Sequence, residues 1–306
     1  MRGVTSVVTR HVSFLVFCAA GLALFFGPVV QLLRMSFSTD VYSHIPVIPI
    51  ISLCILIFSR KRILADLSWG GRGGFSLVAL GFAVFLSANR IPGLNQNDYL
   101  SMMMLGAILW LMGSFVLSYG SRAFKEALFP LFFLAFVIPI PTFIFKPFVN
   151  LLLRGSACLT DLIFNLIVVP VHRDGFTFAL PGITIEVAEQ CSGIRSSIAL
   201  TITSVLAGYL FLRKGWSRLI LVLSFFPITV FKNALRIVTL SLLASYVDTR
   251  FITGSWLHQS GGIPFFAVGL ALLAPGCWGL MKWEKRGRIQ KTGDRRKKAL
   301  CYGNWV

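Results

Sequence analysis

Charge is scarce in this chain, and negative charge is scarcest. Only 11 of its 306 residues are Asp or Glu and only four are His, against 29 Lys or Arg. Charged residues make up 13% of the chain, roughly half of what a soluble domain carries. That excludes an ordinary water-soluble globule. The six cysteines show neither metal-ligand nor disulfide spacing, which excludes a zinc module and a disulfide framework. Cys18, Cys54 and Cys277 lie in apolar runs, Cys158 on an amphipathic segment and Cys301 near the end. Internal repeats and disordered linkers are lacking as well. The first apolar run, about residues 12–33, is too long for a cleavable signal and has no clear cleavage site, so it reads as a span.

Apolar residues fill the space that charge leaves. They make up 56% of the chain, and the mean hydropathy is +0.79. They fall in nine blocks, at about 12–33, 45–59, 74–88, 100–119, 128–145, 149–169, 194–212, 219–240 and 263–280. Most are long enough to cross roughly 30 Å of hydrocarbon as helices. The sixth differs, because Asn150, Arg154, Cys158, Asp161 and Asn165 recur every three or four residues and draw a polar stripe down one helix face. A span with Arg154 and Asp161 near its middle would be costly. This helix is therefore expected in the outer interface, which leaves eight crossings in an all-α polytopic protein.

The basic residues orient those crossings. The formal net charge of +18 invites a nucleic-acid reading, but the charge sits in short loops and one tail, so no nucleic-acid partner is expected. With the N-terminus inside, segments 1–11, 60–73, 120–127, 213–218 and 281–306 hold 20 of the 29 Lys and Arg. The expectation is an integral-membrane domain over 1–281 and a basic cytoplasmic tail over 282–306, both termini inside, with the tail touching anionic lipid. Residues 176–187 carry a Pro181-Gly182 turn between β-branched and aromatic flanks and read as a small β-hairpin outside the membrane.

That hairpin leads into Glu189-Gln190-Cys191-Ser192-Gly193-Ile194-Arg195-Ser196. Cys191 is the one cysteine with a polar, charged neighbourhood. Nearby positive charge and the amides of a helix beginning near Ile194 both favour a thiolate. Arg195 either sets that charge or binds lipid headgroups. Lys232, Asn233 and Arg236 share a face of the eighth block, with Arg236 in its outer half. A guanidinium there cannot shed its proton, so it should face a cavity or an anion. His258 lies in the next outer loop, before Gly261-Gly262. The three predict thiolate attack on a peptide carbonyl. Arg236 would bind the developing oxyanion or orient the substrate, and His258 would act as general base and then acid.

The strings from Cys191 to Ser196 and from Asn233 to Ile237, followed by His258 before a Gly-Gly pair, resemble the exosortase/archaeosortase family. Tyr42-Ser43-His44 and the Pro-containing fifth block match it too, so the resemblance runs to about residue 280. It implies a bacterial inner-membrane cysteine transpeptidase. Such enzymes cut a C-terminal sorting tail from exported proteins: a Pro-Glu-Pro type motif (PEP-CTERM-like), a hydrophobic helix and a basic end. They pass the acyl group to an acceptor, which the sequence does not name. The family's catalytic Cys, Arg and His fall on Cys191, Arg236 and His258, with Ser192, Gly193, Arg195, Asn233 and His44 in support. His44 is followed by Ile45-Pro46 where the family often has glycine, which limits it to a supporting role. No cofactor or metal is expected. A transporter or flippase binding an anion through Arg236 is the competing class. It would more often show repeat halves or paired broken helices. A lipid-dependent acyltransferase using His258 is a third.

Overall fold

The computed structural model describes residues 2–69, 71–181, 183–187, 193–253 and 262–302. Among them, eight helices are long and apolar enough to cross a membrane. The chain packs as two units, Met1–Lys146 and Pro147–Val306.

The first unit is organised on α4 (Gln96–Glu126). The helices α1 (Arg2–Ser38) and α3 (Arg72–Arg90) run antiparallel to it. Glycines let α3 and α4 close up: a Cβ on Gly113 would lie 2.6 Å from Val78 N, and one on Gly81 would lie 2.7 Å from Gly106 O. Close backbone approach at small residues is how helices gain contact where lipid is as apolar as the side chains. At Gly120 (φ 91°, ψ 171°) the α4 ladder breaks. The carbonyls freed there are taken up, Ser118 O by the Arg10 guanidinium at 3.1 Å and Tyr119 O by Ser68 N at 3.1 Å. Arg10, only 7% exposed, also lies over the Trp69 ring at 4.7 Å.

The fifth apolar block is a broken helix. From Ala127, at the C-terminal end of α4, the chain forms α5 (Leu128–Phe133), a 3-10 turn (Leu134–Val137) and the non-helical residues 138–141. It ends where Thr142 N donates to Asp98 Oδ1 at 2.6 Å, in the first turn of α4. The segment thus runs back along α4, and its own element rises come to about 30 Å. Its proline-interrupted backbone is satisfied by side chains. Ser52 donates to Pro130 O, Ser101 to Pro139 O and Asn97 to Ile140 O, at 2.7, 2.7 and 2.8 Å. Ser52 comes from α2 (Val47–Ile63). Basic residues collect at one end of the unit, where Arg62, Arg122 and Lys125 line a cleft and Arg122 pairs with Asp66.

In α6 (Thr142–Leu166) the polar stripe lies where the sequence puts it. Asn150, Arg154, Cys158 and Asn165 are exposed, and Asp161, half-buried, reaches Arg173 at 3.8 Å. Val149, Leu152, Leu153, Ser156, Ala157, Thr160 and Phe164 form the buried face. Its length and composition also place it among the eight membrane-long helices, whereas the 128–137 helix is shorter.

The expected hairpin is a three-stranded antiparallel sheet, β1 (His172–Asp174), β2 (Thr177–Leu180) and β3 (Ile183–Glu186). Phe178 pairs with Ile185 and packs, fully buried, against Phe164 of α6. Among the described residues this unit also holds α7 (Ile194–Phe211), α8 (Gly215–Leu223), α9 (Phe225–Tyr246) and α11 (Gly262–Tyr302), with a short α10 (Arg250–Thr253) before the last. The Glu284 carboxylate, 5% exposed, accepts the backbone N–H groups of Arg213 and Lys214 at 3.0 and 2.9 Å. It holds the turn into α8 from α11. The sheet sits at the far end of α9, where Ser245 donates to Pro181 O at 2.9 Å.

Candidate active site at the start of α7

The helix α7 starts from an unusual residue. Gly193 takes a left-handed conformation (φ 71°, ψ 17°) and no side chain caps the helix. The turn is instead tied from within. Ser197 N, Ser196 Oγ and Ser197 Oγ all donate to Gly193 O, at 2.9, 2.9 and 2.7 Å. This fixes the Gly193–Ile194 peptide, through which the chain enters α7. The first-turn amides of α7 keep their partial positive charge.

A buried polar seam on α9 backs the turn. Lys232 and Asn233 are each 1% exposed. The Lys232 ammonium donates to Ser196 Oγ. The Asn233 carboxamide Nδ2 donates to Ser156 Oγ of α6 at 3.0 Å, and its Oδ1 has no partner among the described residues. A Cβ on Gly193 would lie 2.9 Å from that Oδ1. Gly155 packs on Val230 of α9, and Gly269 of α11 leaves room for the Lys232 stem at 3.2 Å. Four helices therefore meet at the point where the chain enters α7.

Of the residues singled out from sequence, Gly193 and Asn233 are brought into contact. Arg236 is half-buried on α9, one turn beyond Lys232 and Asn233, and is charge-coupled to Lys232. Arg195 is exposed on the first turn of α7. His44 belongs to the other unit, half-buried and bonded to the backbone of Phe136 and Val41. Cys191, Ser192 and His258 lie outside the described residues, as does Gly182 of the hairpin turn. Among the described residues no group of three His, Cys, Asp or Glu could hold a metal ion.

Two partners of this seam escaped the sequence reading. Ser156 sits on the buried face of α6, opposite the polar stripe that drew attention. Ser196 looks like one of several small polar residues in a membrane helix. The legible signal was spacing: Lys232, Asn233 and Arg236 share a face of one helix.

The family model described as transmembrane exosortase matches residues 36–275 of the chain. Searches of curated proteins and of solved structures gave no match. The match spans most of the chain and includes positions 44, 191, 236 and 258. The chain belongs to the transmembrane exosortase family, a family of membrane-embedded sorting transpeptidases that act on exported proteins.

Proposed function

We propose that this chain cuts the C-terminal sorting tail of exported proteins through a thioester on Cys191, at the outer face of a bacterial inner membrane. The observation that carries the reading is the contact of the Gly193 turn with Asn233. Cys191 is two residues from Gly193, so its Cα lies within about 7.6 Å of Gly193 Cα along the chain. Arg236 is one turn from Asn233 on the same helix.

The chemistry follows from those groups. The Cys191 thiolate adds to the scissile carbonyl; a C–S bond forms and the oxygen takes the negative charge. Arg236 holds that oxyanion. As the C–N bond breaks, His258 gives its proton to the leaving amine, and a thioester remains. An acceptor amine, an acceptor hydroxyl or water then attacks, losing its proton to His258 and returning the thiolate.

The outer location rests on charge and on the broken fifth block. That segment carries the chain back to the Asp98 end of α4, opposite the Arg62, Arg122 and Lys125 end. With basic ends inside and α6 in the outer interface, eight crossings place both termini in the cytoplasm and Cys191 outside. A transporter would leave the backbone of a broken helix open to its substrate. Here Ser52, Ser101 and Asn97 occupy carbonyls of the broken segment.

The test is cellular. Cys191→Ala, co-expressed with an exported protein bearing a Pro-rich motif, one apolar helix and a basic end, should leave that protein full-length. Continued processing by Cys191→Ala overturns the assignment. Recovery of a thioester on Cys191 by mass spectrometry after acid quench supports it directly.

A further inference from the structure

Lys232 is a buried charged group in this unit that the mechanism above does not use. It is among the largest fully buried side chains. Desolvating an ammonium is expensive unless an anion compensates it. None of the described residues sets a carboxylate beside it, and its charged neighbour on α9 is Arg236, of the same sign. Its position makes matters worse, because it bonds within the first turn of α7, where the helix dipole already presents positive charge. Among the described residues, the elements packed around it add no carboxylate: α7 brings Ser196, α6 brings Ser156 through Asn233, and α11 brings Gly269 against the stem. A methionine of similar length would fill the space at lower cost.

The bond it makes gives a reason to keep the charge. Ser196 Oγ accepts from Lys232 and donates to Gly193 O. A hydroxyl that accepts from a cation donates more strongly, because the two bonds polarise each other. The relay therefore runs from the ammonium, through one hydroxyl, to the carbonyl of the residue whose left-handed backbone turns the chain from Cys191 into α7. It holds that turn and adds positive potential at the place where a thiolate must persist.

We propose that Lys232 is a positioning residue that acts through Ser196 on the Gly193 turn. It holds the Gly193–Ile194 peptide, two residues on from Cys191, and favours the thiolate, without touching substrate. This rests on Cys191 being the nucleophile, and the experiment separates the two claims. Full-length protein in native membranes is labelled with iodoacetamide across pH, and modification of Cys191 is read by mass spectrometry. Processing of a tailed substrate is followed in parallel.

Lys232→Met should move the labelling midpoint up by about one pH unit, so that labelling below the midpoint is about tenfold slower. Lys232→Arg should recover most of that loss. Ser196→Ala, which keeps the charge and breaks the relay, should shift the midpoint the same way by less. An unchanged pH profile in a folded Lys232→Met protein overturns the proposal. So does loss of folded Lys232→Met protein, which would assign the lysine to packing. Processing that survives Cys191→Ala sinks the nucleophile assignment instead, whatever Lys232→Met does.

Discussion

Asn233 Oδ1 stands 2.9 Å from where a Cβ on Gly193 would be. The carboxamide cannot easily swing aside, because its Nδ2 is bonded to Ser156 inside the protein. The residue that turns the chain into α7 and the helix that carries Arg236 are thus in contact through a position that admits only hydrogen. Gly193→Ala meets two obstacles there. A left-handed conformation costs a non-glycine residue about 1–2 kcal/mol, and the methyl presses on a buried amide. The turn should rotate away while α7, fixed elsewhere by packing, stays folded. The expected result is a drop of at least about tenfold in substrate processing, since about 1.4 kcal/mol already corresponds to tenfold. Membrane yield should be near that of the parent. Equal processing by Gly193→Ala would show that the turn has latitude.

Arg236 is expected to act through a planar, permanent charge. Removing one oxyanion donor costs on the order of 10²–10³ in kcat, and Arg236→Ala should show a loss of that size. Lys places a point charge on a different stem and cannot reproduce the bidentate fork. Arg236→Lys should therefore lose nearly as much. Single-turnover cleavage of a tailed peptide in detergent measures both. If Arg236→Lys retained full kcat, the oxyanion role would pass to the backbone amides at the start of α7.

Spacing made much of this architecture legible. The stripe of Asn150, Arg154, Cys158, Asp161 and Asn165 predicts an amphipathic helix, and α6 shows it. Pro181 predicts a turn, and β2 and β3 flank it. β1 was not legible, because His172-Arg173-Asp174 has no β-branched or aromatic residue. It is a strand by virtue of its partner, pairing with Thr177, Phe178 and Ala179 across a turn at Gly175 (φ 60°). Pro130, Pro139 and Pro141 mark the break in the fifth block, which by apolar length alone is an ordinary span. Proline removes an amide donor, and only the structure shows Ser52 and Ser101 meeting the carbonyls instead. The eighth apolar block ends near residue 240, whereas α9 continues to Tyr246. Lys232, Asn233 and Arg236 therefore lie mid-helix. The seam behind Gly193 was out of reach, since it depends on a left-handed backbone and on side chains from four helices.

Glu284 gives a prediction about stability alone. Its carboxylate caps the start of α8 by accepting from Arg213 and Lys214. Glu284→Ala leaves two amide donors unmet in a largely buried place, at a cost of about 1–3 kcal/mol. Glu284→Gln keeps one good acceptor and should cost less. Thermal unfolding in detergent, followed by tryptophan fluorescence, should rank parent above Gln above Ala. The pH profile of Cys191 labelling should be the same in all three.

The placement of α6 can be decided with cysteines already in the chain. Cys158 is exposed on the polar stripe, and Cys54 is exposed on α2. A maleimide needs water to react with a thiolate. If α6 lies in the outer interface, Cys158 meets water outside the cell and Cys54 meets lipid. In a Cys191→Ala background, an impermeant maleimide applied to spheroplasts should then label Cys158 and leave Cys54 unmodified. Cys301, in the basic tail, should be labelled only after the membrane is opened. If α6 instead crosses the bilayer, Cys158 sits about two turns inside its C-terminal end, within the hydrocarbon, and stays unlabelled. Protein from opened and unopened spheroplasts, digested and compared by mass spectrometry, distinguishes the two. A Cys158 that reacts only after opening would put the far end of α6 on the cytoplasmic side, and Cys191 with it, contrary to the outer site argued above.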